Sequence, residues 1–233
     1  MFTFIANQLQ RRLTRCLLCN AAEADACGTC APCRHELPHL GQACQQCALP
    51  LATATDTLCP RCLRQPPSNS SCHACWYYAY PVAQLIQRFK YRADLTAGRT
   101  LAEVAAQQLA PAVSRDNRPD LLVPMPLHWR RQLARGYNQA QLIADIWGRR
   151  WQIPVNNRLL RKAVFTGSQQ QLKREERLKN LSRSFAASNA VKGRHIGLVD
   201  DVITTGASLE AASATLLTAG ARLVSTYALA RTP

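Results

Sequence analysis

The chain has 233 residues, 47% of them hydrophobic but only 6% aromatic, so its core is built mainly from Ala, Leu, Val and Ile. Its 29 Lys and Arg against 14 Asp and Glu leave a formal net charge of +15, a balance suited to phosphate-rich partners, either nucleotides or a nucleic-acid backbone. No apolar run approaches the roughly eighteen residues that span a bilayer, and residues 1–15 lack the long apolar region and cleavage site of a secretory signal, so the chain reads as soluble and cytoplasmic.

The first 70 residues read as a separate small module. All eleven cysteines lie between Cys16 and Cys75, most in C-x-x-C pairs: Cys16/Cys19, Cys30/Cys33, Cys44/Cys47, Cys59/Cys62 and Cys72/Cys75, with Cys27 three before Cys30. Such turns let two thiolates converge on one tetrahedral zinc, and two turns a dozen or so residues apart close a ribbon. The segment is too short and polar for a core of its own, so zinc would supply its folding free energy. The consecutive, similarly spaced sets are Cys16, Cys19, Cys30 and Cys33 around one structural zinc and Cys44, Cys47, Cys59 and Cys62 around a second. Four thiolates leave no open position for catalysis. Cys27, Cys72 and Cys75 are then left over, as buried thiols, as a partial third site with His35, His39 or His73, or as a sign that Cys27 belongs in the first set. Two zinc tetrathiolates would bring the formal charge from +15 to about +11.

The polar, turn-rich run Gln65-Pro66-Pro67-Ser68-Asn69-Ser70-Ser71 marks the boundary, giving a double ribbon over 1–70 and a second domain over 71–233. Val82, Leu85, Ile86 and Phe89 fall at helical spacing after Pro81. A further helix is expected over 100–109, a short buried strand over 120–126 ended by prolines, a helix around Leu142, Ile143, Ile146 and Trp147, and a strand over 153–155. Strands over 195–199 and 222–230 flank a helix over 208–219. Strands alternating with helices predict an α/β fold with a parallel sheet and its ligand at the strands' C-terminal ends. Lone histidines such as His128 and His195 read as structural.

The most informative string is Ile196-Gly197-Leu198-Val199-Asp200-Asp201-Val202-Ile203-Thr204-Thr205-Gly206-Ala207-Ser208. A buried strand delivers two carboxylates that can accept hydrogen bonds from neighbouring sugar hydroxyls. Thr204, Thr205, Gly206, Ala207 and Ser208 can then point backbone N–H groups and hydroxyls at a phosphate, at the positive end of the following helix. The order resembles the phosphoribosyl pyrophosphate (PRPP) motif of type I phosphoribosyltransferases. Lys90, Arg131 and Arg135 are candidates for offsetting charge on a departing pyrophosphate. The basic stretch after Thr166-Gly167-Ser168, with Arg174 and Arg177, reads either as a lid over the ligand or as a solvated helix.

Lys90-Tyr91-Arg92, Pro124-x-Pro126-Leu127-His128, Arg135-Gly136-Tyr137-Asn138-Gln139 and Thr166, Gln169, Leu172, Arg174, Arg177, Asn180 and Leu181 stand in order before the Asp-Asp string. Together with the cysteine pairs and Cys33-Arg34-x-Glu36-Leu37-Pro38, they closely resemble the ComF family, also called GntX, over about Cys16 to Arg231. The resemblance implies a double zinc ribbon preceding a type I phosphoribosyltransferase-like domain, and a link to competence, DNA uptake or use of DNA as a nutrient. The extra Cys72/Cys75 pair and Cys27 depart from that pattern. The ligand expected from the residues is PRPP or ribose 5-phosphate, with Mg²⁺ carried mainly by pyrophosphate oxygens and waters. Two functional classes follow: a phosphoribosyltransferase with an unassigned acceptor, favoured by the intact carboxylates and loop, and a PRPP sensor whose basic surface and ribbons contact single-stranded DNA or competence proteins.

Overall fold

The computed structural model describes residues 15–22, 24–53, 55–113, 115–128, 133, 135–162 and 184–233. Four strands form one parallel sheet: β1 (Ser71–Tyr77), β2 (Leu121–Pro124), β5 (His195–Ile203) and β6 (Leu223–Arg231), in the order β1-β6-β5-β2. A separate antiparallel pair joins β3 (Leu160–Lys162) to β4 (Phe185–Ala187). Two short helices, α1 (Ala31–His35) and α2 (Pro60–Arg64), belong to the cysteine-rich region. Four longer ones follow: α3 (Val82–Tyr91), α4 (Leu95–Leu109), α5 (Gln139–Trp151) and α6 (Ala207–Thr218).

The central strands are apolar almost throughout, because both faces of a parallel sheet are covered by helices. One face packs on α3, α4 and α5 through Trp76, Ile86, Phe89, Leu101, Ile143, Trp147 and Tyr227. The other packs on α6 and the β3–β4 pair through Leu160, Phe185, Leu198, Leu209 and Leu216. No helix among the described residues is long and apolar enough to cross a membrane.

The parallel α/β sheet expected from the sequence is observed, with three differences in detail. The helix expected from residue 100 begins at Leu95, where the Asp94 carboxylate accepts from the Ala97 N–H at 2.9 Å. Gly98 lies inside that helix, at a point where a Cβ would sit 2.4 Å from the Phe89 ring. Residues 153–155 form only an isolated bridge, Leu122 with Val155, since the chain leaves the β2 edge after one pairing.

The third difference is β1, which sequence spacing presented as a cysteine pair. Ser71–Tyr77 runs parallel to β6, and the strand's two-residue period sends Cys72 and Cys75 to opposite faces. Cys72 joins the α6-side core and Cys75 the α4-side core, so the two thiols cannot converge on a metal. β1 is the sheet's edge, and the cysteine-rich region covers it. Tyr77 N–H donates to Pro38 O at 2.8 Å, Leu40 N–H to Cys75 O at 2.9 Å, and Cys72 N–H to Gln45 O at 2.7 Å. Leu37 enters one core layer, and Leu40 and Ala48 the other.

Candidate functional site

β5 extends through both carboxylates and ends at Ile203, so Asp200 and Asp201 lie at the C-terminal end of the sheet. The Asp201 N–H donates to Asp200 Oδ1 at 2.8 Å. Asp201 is buried and its Oδ1 lies 2.9 Å from Lys90 Nζ in the last turn of α3. Asp200 keeps a partial opening to solvent. Enclosure by protein, reinforced by the Asp201 charge and only partly offset by the Asp201 amide and Lys90, pushes the Asp200 carboxyl up to about 7. The pair thus holds one firmly matched carboxylate and one poised near neutrality.

The next residues form an open loop. Gly206 has φ +79°, a left-handed conformation that disfavours any side chain, and it caps α6 without a side-chain partner. No protein atom lies within 4 Å of where its Cβ would be. Among the described residues, the amides of Thr204, Thr205 and Gly206 donate to no protein acceptor. Three free N–H groups ahead of a helix N-terminus, with Thr204, Thr205 and Ser208 exposed, make a ready anion site.

What holds the loop open was not legible in the sequence. Arg231, at the end of β6, is 6% exposed; its guanidinium donates to Ile203 O at 3.3 Å, to Thr204 O, and through Nε to Cys47 O at 3.1 Å. Arg61, between Cys59 and Cys62, donates to Thr205 O at 3.3 Å. The Ser68 amide and hydroxyl donate to Glu210 at 2.8 and 2.6 Å, tying the segment after α2 to the first turn of α6. In a trans peptide the N–H points opposite the preceding C=O. Arginines that fix the carbonyls of residues 203–205 therefore turn the amides of residues 204–206 away from them.

The eight expected metal ligands gather in two groups, Cys16, Cys19, Cys30 and Cys33, and Cys44, Cys47, Cys59 and Cys62, with the ligand atoms of each group within 4.8 Å of one another. Cys19 Sγ and Cys30 Sγ are 3.6 Å apart, as are Cys47 Sγ and Cys59 Sγ. A tetrahedral zinc with Zn–S of about 2.3 Å requires about 3.8 Å between sulfurs, so both groups are shaped to hold a metal ion such as zinc. In each group one thiol is lowered despite burial, Cys16 to about 6 and Cys44 to about 7, because backbone amides donate to the sulfur.

No third group forms among the described residues. Cys27 is buried beside α4, where it accepts from Gln107 Nε2 at 3.3 Å, and burial pushes its thiol up. Burial likewise raises Cys72 to about 12 and raises Cys75. His39 bonds to Arg34 O and Gln108, His73 stacks on Tyr227 with centroids 5.3 Å apart, and His195 bonds to Ser225 Oγ at 2.8 Å.

Of the candidate cations, Lys90 is committed to Asp201, whereas Arg135 lies over the Tyr91 ring at 5.0 Å and donates to Gln139 Oε1 at 3.1 Å. Arg131 and the segment from Thr166 to Leu181 lie outside the described residues. A cleft of about 630 Å³ runs along α5 from Asn138 to Arg149, with Arg99, Arg161 and Lys162 on its walls.

A parallel α/β sheet carrying an acidic strand end and an open amide loop, with two four-cysteine groups in the region that covers its edge strand, defines the class. Across 209 residues the chain is 32% identical to competence protein F of Haemophilus influenzae, covering 88% of this chain and 90% of that one. It is 30% identical over 207 residues to DNA utilization protein YhgH of Escherichia coli (88% and 91% covered), and 30% over 215 residues to competence protein ComFC of Bacillus subtilis (82% and 84%). The chain belongs to the ComF family, whose members carry names drawn from competence and DNA utilization. No protein-family model matches it. Solved structures similar to it include a purine phosphoribosyltransferase from Pyrococcus horikoshii, 16% identical, TM-score 0.38, covering 57% of this chain and 83% of that one. Another is a glutamine PRPP amidotransferase from Bacillus subtilis, 17% identical, TM-score 0.41, covering 61% and 30%.

Proposed function

We propose that the acidic strand end and the loop after it bind PRPP, and that the chain is a phosphoribosyltransferase-like protein of the cytoplasm acting in competence or DNA use. The observation that carries this is the run of three unpaired amides at Thr204, Thr205 and Gly206 beside a carboxylate pair at one strand end. In this reading the 5-phosphate sits on those amides with the Thr204, Thr205 and Ser208 hydroxyls, Ala207 completing the turn. Asp200 and Asp201 accept hydrogen bonds from the ribose hydroxyls. Mg²⁺ would ride on the pyrophosphate oxygens and waters. If transfer occurs, the C1–O bond to pyrophosphate breaks with its electron pair leaving on pyrophosphate, while an acceptor atom bonds C1 and gives up a proton. Lys90, Arg131 and Arg135 are the cations assigned to that leaving group in this reading, Lys90 while it stays paired with Asp201.

Calorimetry with PRPP tests the binding. The double variant Asp200→Ala, Asp201→Ala should bind at least about thirtyfold more weakly, since two charge-assisted contacts are lost. Unchanged affinity sinks the assignment. Pyrophosphate release over a panel of nucleobases then separates the two classes, release with any acceptor marking an enzyme and silence with every acceptor a sensor.

One observation favours the second class, a sensor that touches single-stranded DNA or competence proteins. The α5 cleft carries four cations, Arg99, Arg149, Arg161 and Lys162, against one carboxylate, Asp145, which already accepts from Gln141. Four phosphate contacts there would give a log–log salt slope of about −3 for a single strand. Salt-independent binding would rule the surface out.

A further inference from the structure

We propose that Arg231 is a positioning residue coupling the second cysteine group to the anion loop, so that a phosphate on the loop and a metal ion on Cys44, Cys47, Cys59 and Cys62 stabilise each other. The proposal rests on the loop being a phosphate site, as argued above. Its own ground is the pattern of hydrogen bonds that the Arg231 guanidinium makes.

Arg231 is buried to 6% exposure, and no ion pair reaches it among the described residues. A buried guanidinium without a carboxylate is costly unless its donors are filled and its charge is offset. Here Nε donates to Cys47 O at 3.1 Å, and the two Nη1 hydrogens are shared among Ile203 O at 3.3 Å, Thr204 O, and Thr232 O and Oγ1 at 2.6 and 3.1 Å. One end of the planar fork holds the backbone of a metal-ligating turn, and the other holds the loop. Arg61 repeats the link from inside the Cys59–Cys62 turn, reaching Thr205 O at 3.3 Å. A divalent metal on four thiolates carries a net −2, which would offset the Arg231 charge from one side as a ligand phosphate does from the other. The same bonds fix the direction of the loop amides. A disordered Cys44–Cys62 region would take Arg61 away from Thr205 O and remove the Cys47 O that anchors the Arg231 guanidinium against Ile203 O and Thr204 O.

Thermodynamic linkage makes this reciprocal in binding free energy, and from the metal side, with rebinding blocked by a chelator, the added stability of the zinc-bound state is read as slower release. The experiment follows zinc release from the full, zinc-loaded chain into a chromogenic chelator, with Cys44→Ser identifying the phase that belongs to the second group. Saturating ribose 5-phosphate should slow the second-group phase about fivefold, the lower end of ordinary coupling, and leave the first-group phase unchanged. In Arg231→Gln the selective slowing should vanish while two zinc ions per chain remain. Arg231→Lys, which keeps the charge but lacks the fork, should recover only part of it. If Arg231→Gln does not fold, the exposed Arg61→Gln should show the same loss to a smaller degree. Equal slowing of both phases, no slowing in a chain that calorimetry shows to bind ribose 5-phosphate, or full selectivity in the variants overturns the coupling alone. Failure of the wild-type chain to bind ribose 5-phosphate overturns the phosphate site itself.

Discussion

Asp200 and Gly206 show how single residues at this strand end trade stability for an open site. A carboxyl raised from 3.8 to about 7 binds more protons in the folded than in the unfolded chain between those values. The fold therefore loses stability as pH rises from about 4 through 7, and the full penalty is present above that. Asp200→Asn removes the charge, so the variant should be more stable than wild type by on the order of 1 kcal/mol at pH 8 and indistinguishable at pH 4. Denaturant melts at the two pH values check this, and a gain at pH 4 equal to that at pH 8 would show that burial of charge is not the cause. Gly206 supplies the opposite case. Its φ of +79° costs an L-residue about 1 kcal/mol, so Gly206→Ala should destabilise by about that much although its Cβ meets open space. A melt unchanged within about 0.3 kcal/mol would mean that the loop simply flips to a right-handed turn.

At the scale of elements, β1 separates cysteine spacing from cysteine chemistry. Five C-x-x-C pairs look alike in sequence, but two lie on turns and two span the N-cap and first turn of α1 and α2, where two thiols can converge, and one lies on a strand, where residues three apart face opposite sides. Cys59→Ser should therefore reduce zinc from two ions per chain to one in native mass spectrometry, while Cys72→Ala and Cys75→Ala should keep both ions. The two alanine variants should instead lose about 1–2 kcal/mol of core packing. Loss of an ion from Cys72→Ala would contradict the separation of the two faces. The same contrast explains what was legible beforehand. Asp200, Asp201 and the loop after them could be read because every group is contiguous, and the alternation of strands and helices followed from apolar spacing. β1 was hidden because cysteine serves as both ligand and small apolar residue. Arg61, Glu210 and Arg231 were hidden because their partners lie 144, 142 and up to 184 residues away, and no local pattern marks a contact of that range.

Across the whole molecule, the division at residue 70 in sequence does not fall between independent cores. The cysteine-rich region supplies Leu37 to the α4-side core and Leu40 and Ala48 to the α6-side core, and it fills the hydrogen bonds of the β1 edge. It also supplies Cys47 O to Arg231, Arg61 to the loop and Ser68 to α6. The 71–233 piece produced alone would expose β1 as an unpaired edge with Trp76, Cys72 and Cys75 partly uncovered, a template for edge-to-edge association. It should therefore elute from size exclusion as dimers or larger species, and its thermal midpoint should lie below that of the full chain by about 10 °C, the equivalent of roughly 3–5 kcal/mol for a domain of this size. Stripping metal from the full chain should move the midpoint in the same direction, because without metal the cysteine region lacks the core to stay folded against β1. Ribose 5-phosphate affinity should fall in both cases, since each takes Arg61 from Thr205 O and the Cys47 O anchor from Arg231. A monomeric 71–233 piece with the full chain's midpoint and affinity would show instead that the sheet and its loop stand without the cysteine region, leaving the contacts across residue 70 as mere adjacency.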